Sequence, residues 1–299
     1  MDIGKKIKTI RIEKLMTQRE LAGEMITRNM LSQIENGIAQ PSLSTVAYLA
    51  SRLGVPAGYL LSEGDDEFLY NKSRVMKNIK KAYLDKDYRI CRDMCLSSFD
   101  EYDDELELIL TDCCIGEAEE LIKNGKLHFA CEMLDEALRH SEKTIYSTAI
   151  QKKRMYLLFH LLKNISPVLD SNEIDTDVGK EFLIPSNFED VFGRYVAVIF
   201  GEHEMYSDMF NQFAYTLSEY DKLYLAHIQA RGCMSVKDFK SAARILGEIV
   251  DGETVPEKLL LYLCCCDLEL CCKEIEDYKG AYEFSNNKME ILEYMLSEL

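Results

Sequence analysis

The chain has 299 residues, 47% of them hydrophobic and 29% charged, with only 5 prolines. That composition excludes disorder over most of the length, and the length itself calls for two or more domains or an extended repeat array. The formal net charge is −17, but residues 1 to 62 carry eight Lys or Arg against five Asp or Glu, which makes that segment +3 and the remainder −20. A polyanion is attracted to the first segment and repelled, on average, by the second.

No run approaches the ~20 consecutive apolar residues needed to cross a bilayer, and Met1-Asp2-Ile3-Gly4-Lys5-Lys6 leads into an amphipathic helix rather than a signal core. The 11 cysteines are odd in number, and adjacent ones such as Cys113-Cys114 and Cys264-Cys265-Cys266 lack the spacing of a disulfide scaffold. A cytoplasmic protein with free thiols is expected.

In chain order, Ile3, Ile7 and Ile10 recur at helical spacing and set a first helix over 3–14, with Lys5, Lys6, Lys8 and Arg11 on other faces. Thr17 caps a second helix, Glu20 closes a capping box with it, and Leu21, Ala22 and Met25 form the inward face. Thr27 caps a third helix that runs to Asn36 and is ended by Gly37. Leu31 and Ile34 are its buried side, so Arg28, Asn29, Met30, Ser32 and Gln33 present groups that match base edges and phosphates. Ser42 or Ser44 caps a fourth helix with Val46, Leu49, Ala50 and Leu53 inward and Gly54 as its stop. Pro56 opens a short fifth helix closing with Tyr59, Leu60 and Leu61.

The runs Thr17-Gln18-Arg19-Glu20-Leu21-Ala22, Ile26-Thr27-Arg28-Asn29-Met30-Leu31-Ser32-Gln33-Ile34-Glu35-Asn36-Gly37, Pro41-Ser42-Leu43 and Leu53-Gly54-Val55 resemble the five-helix DNA-binding domain of the phage-repressor-like, xenobiotic-response-element family of bacterial regulators. The turn between the second and third helices is a residue shorter than the usual form and lacks its glycine. That shorter form resembles the one in peptide-pheromone-responsive regulators of Gram-positive bacteria. The resemblance implies that Gln18 fixes a phosphate and supports the recognition helix, and that Arg28, Asn29, Met30 and Gln33 look into the major groove. Gln33 suits adenine, Arg28 guanine or phosphate, and Met30 a thymine methyl. Ser32 and Asn36 are placed for backbone contacts, and Lys5, Lys6, Arg11 and Arg19 lie near phosphates. Two plainer readings stay open: Asn36 as a helix C-cap only, and Arg28 paired with Glu24. Glu35 reads as an internal acid facing Arg11 or backbone amides.

After a linker at 63–70, helical periodicity continues over 71–299. Second helices of TPR-like hairpins are expected to start at Asp87-Tyr88, Gly125-Lys126-Leu127, Asp238-Phe239 and Asp277-Tyr278. The fold class is therefore all-α: a five-helix DNA-binding domain followed by a TPR-like α-solenoid, interrupted by a long loop near 165–187. Such arrays leave a concave surface. Asn211, Gln212, Tyr215, Tyr220 and Tyr224 are candidate ligand contacts there, suited to an extended peptide.

Catalytic and metal chemistry is thin. Leu259 to Glu276 reads as one helix, on which Cys264, Cys265, Cys266, Cys271 and Cys272 cannot converge on one ion, so they are expected as small buried hydrophobes. The five histidines show no metal-ligand pairing, and the acids around Asp103-Asp104-Glu105-Glu107 and Glu117-Glu119-Glu120 read as a solvated helix face. No nucleotide-binding or nucleophile-elbow motif is present, so neither enzyme activity, a cofactor nor a metal is expected. The resulting expectation is a homodimeric, sequence-specific transcriptional regulator on double-stranded DNA, with a short peptide or small ligand as a further partner. The alternative is a peptide or protein receptor in which DNA binding is secondary.

Overall fold

The computed structural model describes residues 2–62, 65–166, 184–200 and 217–297. All regular structure among them is helical, and no helix among the described residues is long and apolar enough to cross a membrane. The chain divides into two compact units, Met1–Lys81 and Ala82–Leu299.

The first unit holds α1 (Ile3–Glu13), α2 (Gln18–Ala22), α3 (Arg28–Glu35), α4 (Leu43–Leu53) and α5 (Ala57–Leu61). Ile7, Ile10, Leu21, Leu31, Ile34, Leu49, Leu53 and Leu60 share one core. Local chemistry sets the boundaries. Thr17 and Glu20 form the capping box at α2, Thr27 accepts from the Met30 amide at α3, and Ser42 accepts from the Thr45 amide at α4. Gly54 ends α4 in the left-handed conformation.

Two expectations for the α2–α3 turn change. Helix α2 stops at Ala22, so Met25 lies in the turn and is 52% exposed rather than inward. The turn also has its glycine: Gly23 adopts φ +55°, and a Cβ there would lie 2.1 Å from the Tyr48 hydroxyl. Tyr48 occupies that space because it donates to the Ala22 carbonyl, closing the C-terminus of α2. The stretch expected as linker is in part regular structure, since α6 runs Asp65–Leu84. Acidic residues suit a helix start, so composition alone misreads them as a break.

The second unit contains α7 (Tyr88–Ser98), α8 (Asp104–Lys123), α9 (Leu127–Ser141), α10 (Ala149–Ile165), α11 (Val191–Phe200), α12 (Glu219–Ser235), α13 (Phe239–Val250), α14 (Lys258–Glu274) and α15 (Tyr278–Leu296). Helix pairs α8/α9, α12/α13 and α14/α15 are TPR-like hairpins joined by short turns. The expected second helices begin at Tyr88, Leu127, Phe239 and Tyr278, and the turn before each is the same. Lys86, Gly125, Lys237 and Glu276 all have φ between +60° and +77°. The next amide in each case bonds a carbonyl five residues back: Asp87 to Ala82, Lys126 to Leu121, Asp238 to Cys233 and Asp277 to Cys272. This is the Schellman closure that satisfies terminal helix carbonyls.

Contacts also join hairpins that are remote in sequence, because α14 packs on α8 and α15 on α9. A single buried cluster accordingly runs from Cys114 and Ile115 through Phe159 and Tyr195 to Leu260 and Met295. The cysteines of α14 behave as small hydrophobes: Cys264, Cys265, Cys271 and Cys272 are buried, with Cys266 partly so. Most of the loop expected near 165–187 lies outside the described residues; the described remainder includes one 3-10 turn at Pro185–Asn187.

Of the acids expected on a solvated face, Glu120 is exposed, but three others are structural. Asp103 caps α8 through the Leu106 amide, Glu107 is buried against His140, and Glu119 pairs with Arg154 at 2.6 Å. Burial raises the Glu119 carboxyl from its usual range, with Arg154 opposing that rise. Hairpin stacking turns one side of each first helix inward, and acids on that side survive only with partners.

Candidate nucleic-acid interface

Helix α3 is anchored from behind by Glu35, which is 3% exposed. Its carboxylate accepts from Arg11 Nε at 2.6 Å, from Arg11 Nη2 at 3.1 Å and from Gln18 Nε2 at 2.8 Å. One acid thereby joins α1, α2 and α3. Gly4 brings α1 against α3 so closely that a Cβ there would lie 2.0 Å from the Ile34 carbonyl oxygen. The expected internal role of Glu35 toward Arg11 is the observed one.

With Leu31, Ile34 and Glu35 inward, Arg28, Asn29, Met30 and Gln33 are exposed on one face of α3. Ser32 is half-buried, and Asn36 is the exposed C-cap residue. Arg19 and Arg28 line a common shallow depression at the α2–α3 turn. Lys5 is exposed as well. This surface offers a bidentate amide, a guanidinium and an apolar tip side by side, the set that discriminates base edges in a major groove.

Two of the expected phosphate contacts are corrected. Lys6 is 1% exposed, and its ammonium donates to the carbonyl of Ser62 at 2.8 Å, to the Ser62 hydroxyl at 3.0 Å and to the Tyr59 carbonyl at 3.3 Å. It also sits over the Tyr59 ring. Its charge is tied to the C-terminal end of α5, where the Tyr59 carbonyl also accepts from Ser62, and is not presented to a ligand. Arg11 is spent on Glu35 and on the Met16 carbonyl, 2.8 Å away. Gln18 keeps its supporting role through Glu35 and is half-buried.

The expected ligand residues fare differently. Asn211, Gln212 and Tyr215 lie outside the described residues. Tyr220 is half exposed. Tyr224 is a packing residue, 3% exposed, with its ring 4.4 Å from that of Tyr195 and its hydroxyl donated to Glu257. Burial raises its phenol far above the ordinary value, so it is a neutral core group. Two clefts among the described residues of this unit are lined by other side chains. A cleft of about 710 Å³ is bordered by Tyr88, Ile90, Glu117, Leu121, Lys258 and Tyr294. A second, of about 390 Å³, adds Glu119, Lys123, Arg154 and Asp221, and the two share Lys86, Tyr88 and Glu120. The signal for these residues was available in part, since Tyr88 and Lys86 flank the first recognised hairpin turn.

Residues 7–60 match the family described as Helix-turn-helix, HTH_3. The chain is 35% identical over 86 residues to the immunity repressor protein of Bacillus phage phi105, a match covering 27% of this chain and 59% of that protein. It is 35% identical over 78 residues to the cryptic phage CTXphi transcriptional repressor RstR of Vibrio cholerae, covering 25% of this chain and 70% of the relative. Among solved structures, PlcR of Bacillus thuringiensis in complex with the peptide PapR7 and DNA is 16% identical, with 99% of each chain covered and a TM-score of 0.25. ComR of S. thermophilus in complex with DNA and its signalling peptide ComS is 17% identical, with 97% of this chain and 99% of that chain covered and a TM-score of 0.24.

Proposed function

Since the chain belongs to the phage-repressor-like helix-turn-helix family of DNA-binding transcriptional regulators, we propose that it binds a two-fold operator as a homodimer and is controlled by a peptide or small ligand held in its C-terminal unit. The observation that carries the first half is the exposed α3 face of Arg28, Asn29, Met30 and Gln33, held in place by the buried Glu35 link. Gln33 reads adenine, Arg28 contacts guanine or phosphate, and Met30 packs on a thymine methyl. Lys5, Arg19, Ser32 and Asn36 contact the phosphate backbone, with Gln18 supporting the helix. One such unit covers a small footprint, whereas two-fold pairing sets two α3 helices ~34–36 Å apart, or a multiple of that, on one duplex face.

Ligand control is supported by the two neighbouring clefts, which share Lys86, Tyr88 and Glu120. Their walls carry lysines, acids and tyrosines together, a lining suited to a short zwitterionic peptide whose backbone needs both donors and acceptors. Control requires the ligand to bind two arrangements of the protein with different affinity, and then operator and ligand alter each other's affinity by one factor. Selection of bound sites from random duplexes with the full-length protein tests the reading. A palindromic consensus is expected, and recovery of unrelated sequences would overturn specific recognition. Retention without sequence preference, combined with ligand capture by the clefts, is the outcome that favours a receptor role.

A further inference from the structure

The hairpin of α8 and α9 contains a cluster that neither DNA reading nor the clefts use. Cys114 projects from α8 toward Glu136 and His140, which lie one turn apart on α9. The ligand atoms of these residues all lie within 4.8 Å of one another, the one group of its kind among the described residues. From these positions we propose that Cys114, Glu136 and His140 form a zinc-binding site, completed by water or a further ligand.

Two of the three donors are oriented by a partner suited to that role. The His140 Nδ1 lies 2.5 Å from Glu107 Oε2. An N–H held there leaves Nε2 with its lone pair free, the carboxylate–histidine arrangement that surrounds metal-bound imidazoles. His140 Nε2 is 3.6 Å from Glu136 Oε1, already within the roughly 3.2–3.8 Å that separates ligands sharing a tetrahedral zinc with bonds of ~2.0–2.3 Å. The other Glu136 oxygen is held by Arg92 Nη1 at 3.3 Å, which leaves Oε1 turned toward the imidazole. The Tyr102 ring meets His140 edge-on with centroids 6.1 Å apart, closing one side.

Charge favours a divalent cation here. Glu107 is buried, Glu136 and Glu117 are mostly covered, and the facing cations are Arg92, the exposed Arg139 and, when protonated, His140. Glu117 and Glu136 thus share Arg92 while Glu107 faces only His140, so acids outnumber the permanent cations in a poorly solvated place, where unpaired charge is costly. A thiol and an imidazole among the donors select zinc over calcium or magnesium. When a thiol takes up zinc, the Zn–S bond forms and the thiol proton passes to solvent. The sequence hid this site, because its cysteine and its Glu-x-x-x-His pair sit on different helices and match no finger spacing.

The test uses full-length protein, reduced and stripped of metal with a chelator, then titrated with zinc or cobalt. One metal per chain is expected, with one proton released per zinc in weak buffer and a thiolate-to-cobalt charge-transfer band. Cys114→Ser should abolish the band while helical circular dichroism is kept. Glu107→Gln should weaken binding ~10–100-fold through the imidazole. Glu136→Gln, on a partly exposed position, serves as a second ligand variant if Cys114→Ser does not fold. Failure of the wild-type protein to retain zinc at micromolar free metal overturns the site. Stoichiometric binding unchanged in a folded Cys114→Ser or Glu136→Gln variant places any metal on other thiols and overturns it equally.

Discussion

Two neighbouring lysines separate by their surroundings. Lys5 is exposed, whereas Lys6 is enclosed by the end of α5. Lys5→Ala is expected to lower the salt dependence of operator binding by about one counterion, with folding unaffected. Lys6→Ala should leave that slope alone and cost about 1.5–3 kcal/mol of stability, because it strips a buried charged donor from the Ser62 carbonyl and hydroxyl. Affinity measured over a salt series, with urea unfolding of both variants, separates the two. The position of Lys6 was legible: it lies three residues after Ile3 and four before Ile10, on the buried stripe itself. Counting it as a phosphate contact weighed residue type over register. Gln33→Ala is expected to cost ~1–3 kcal/mol at the selected operator and far less on random duplex, if its amide reads a base. Equal losses on the two duplexes would reduce Gln33 to a packing or backbone role.

At the level of elements, the repeated turn makes a directional prediction. Lys237 and Glu276 are exposed residues held at φ +63°, where a side chain is strained. Replacing either with glycine should stabilise the second unit by about 0.5–1 kcal/mol. The reverse change, Gly125→Ala, places a Cβ 2.8 Å from Met295 Cγ at φ +77° and should destabilise by about 1–3 kcal/mol. Shifts of the urea midpoint at constant slope read both signs. These helices were legible because aspartate or glycine before an aromatic or aliphatic residue punctuates an otherwise continuous periodicity. The fates of Glu107, Glu119 and Tyr224 were not. Local pattern reports which side of a helix is apolar, but which polar residues meet a partner depends on helices far away in sequence, such as Glu107 with His140.

For the whole chain, charge asymmetry and pairing govern behaviour in solution. A homodimer should scatter as about twice the 34.4 kDa chain mass; a monomer at micromolar concentration with a non-palindromic footprint would remove the two-fold reading. Labelled ligand titrated with and without operator should give curves displaced by the factor by which ligand displaces operator affinity. Superimposable curves would leave the clefts without regulatory effect.

The packing of α14 on α8 and of α15 on α9 governs the order in which the second unit can assemble. Open solenoids add stability one neighbour at a time and tolerate loss of a terminal repeat. Here the surfaces of α8 and α9 are covered by helices made far later, with Gly125 packed against Met295 and Lys258. During synthesis, at ~5–20 residues per second, the early hairpin must wait several seconds with apolar surface uncovered. Long-range contacts of this kind slow folding and bind distant segments into one transition. A nascent chain arrested before α14 is therefore a natural client for chaperones, and removing α15 should loosen α9 as well as the hairpin it ends.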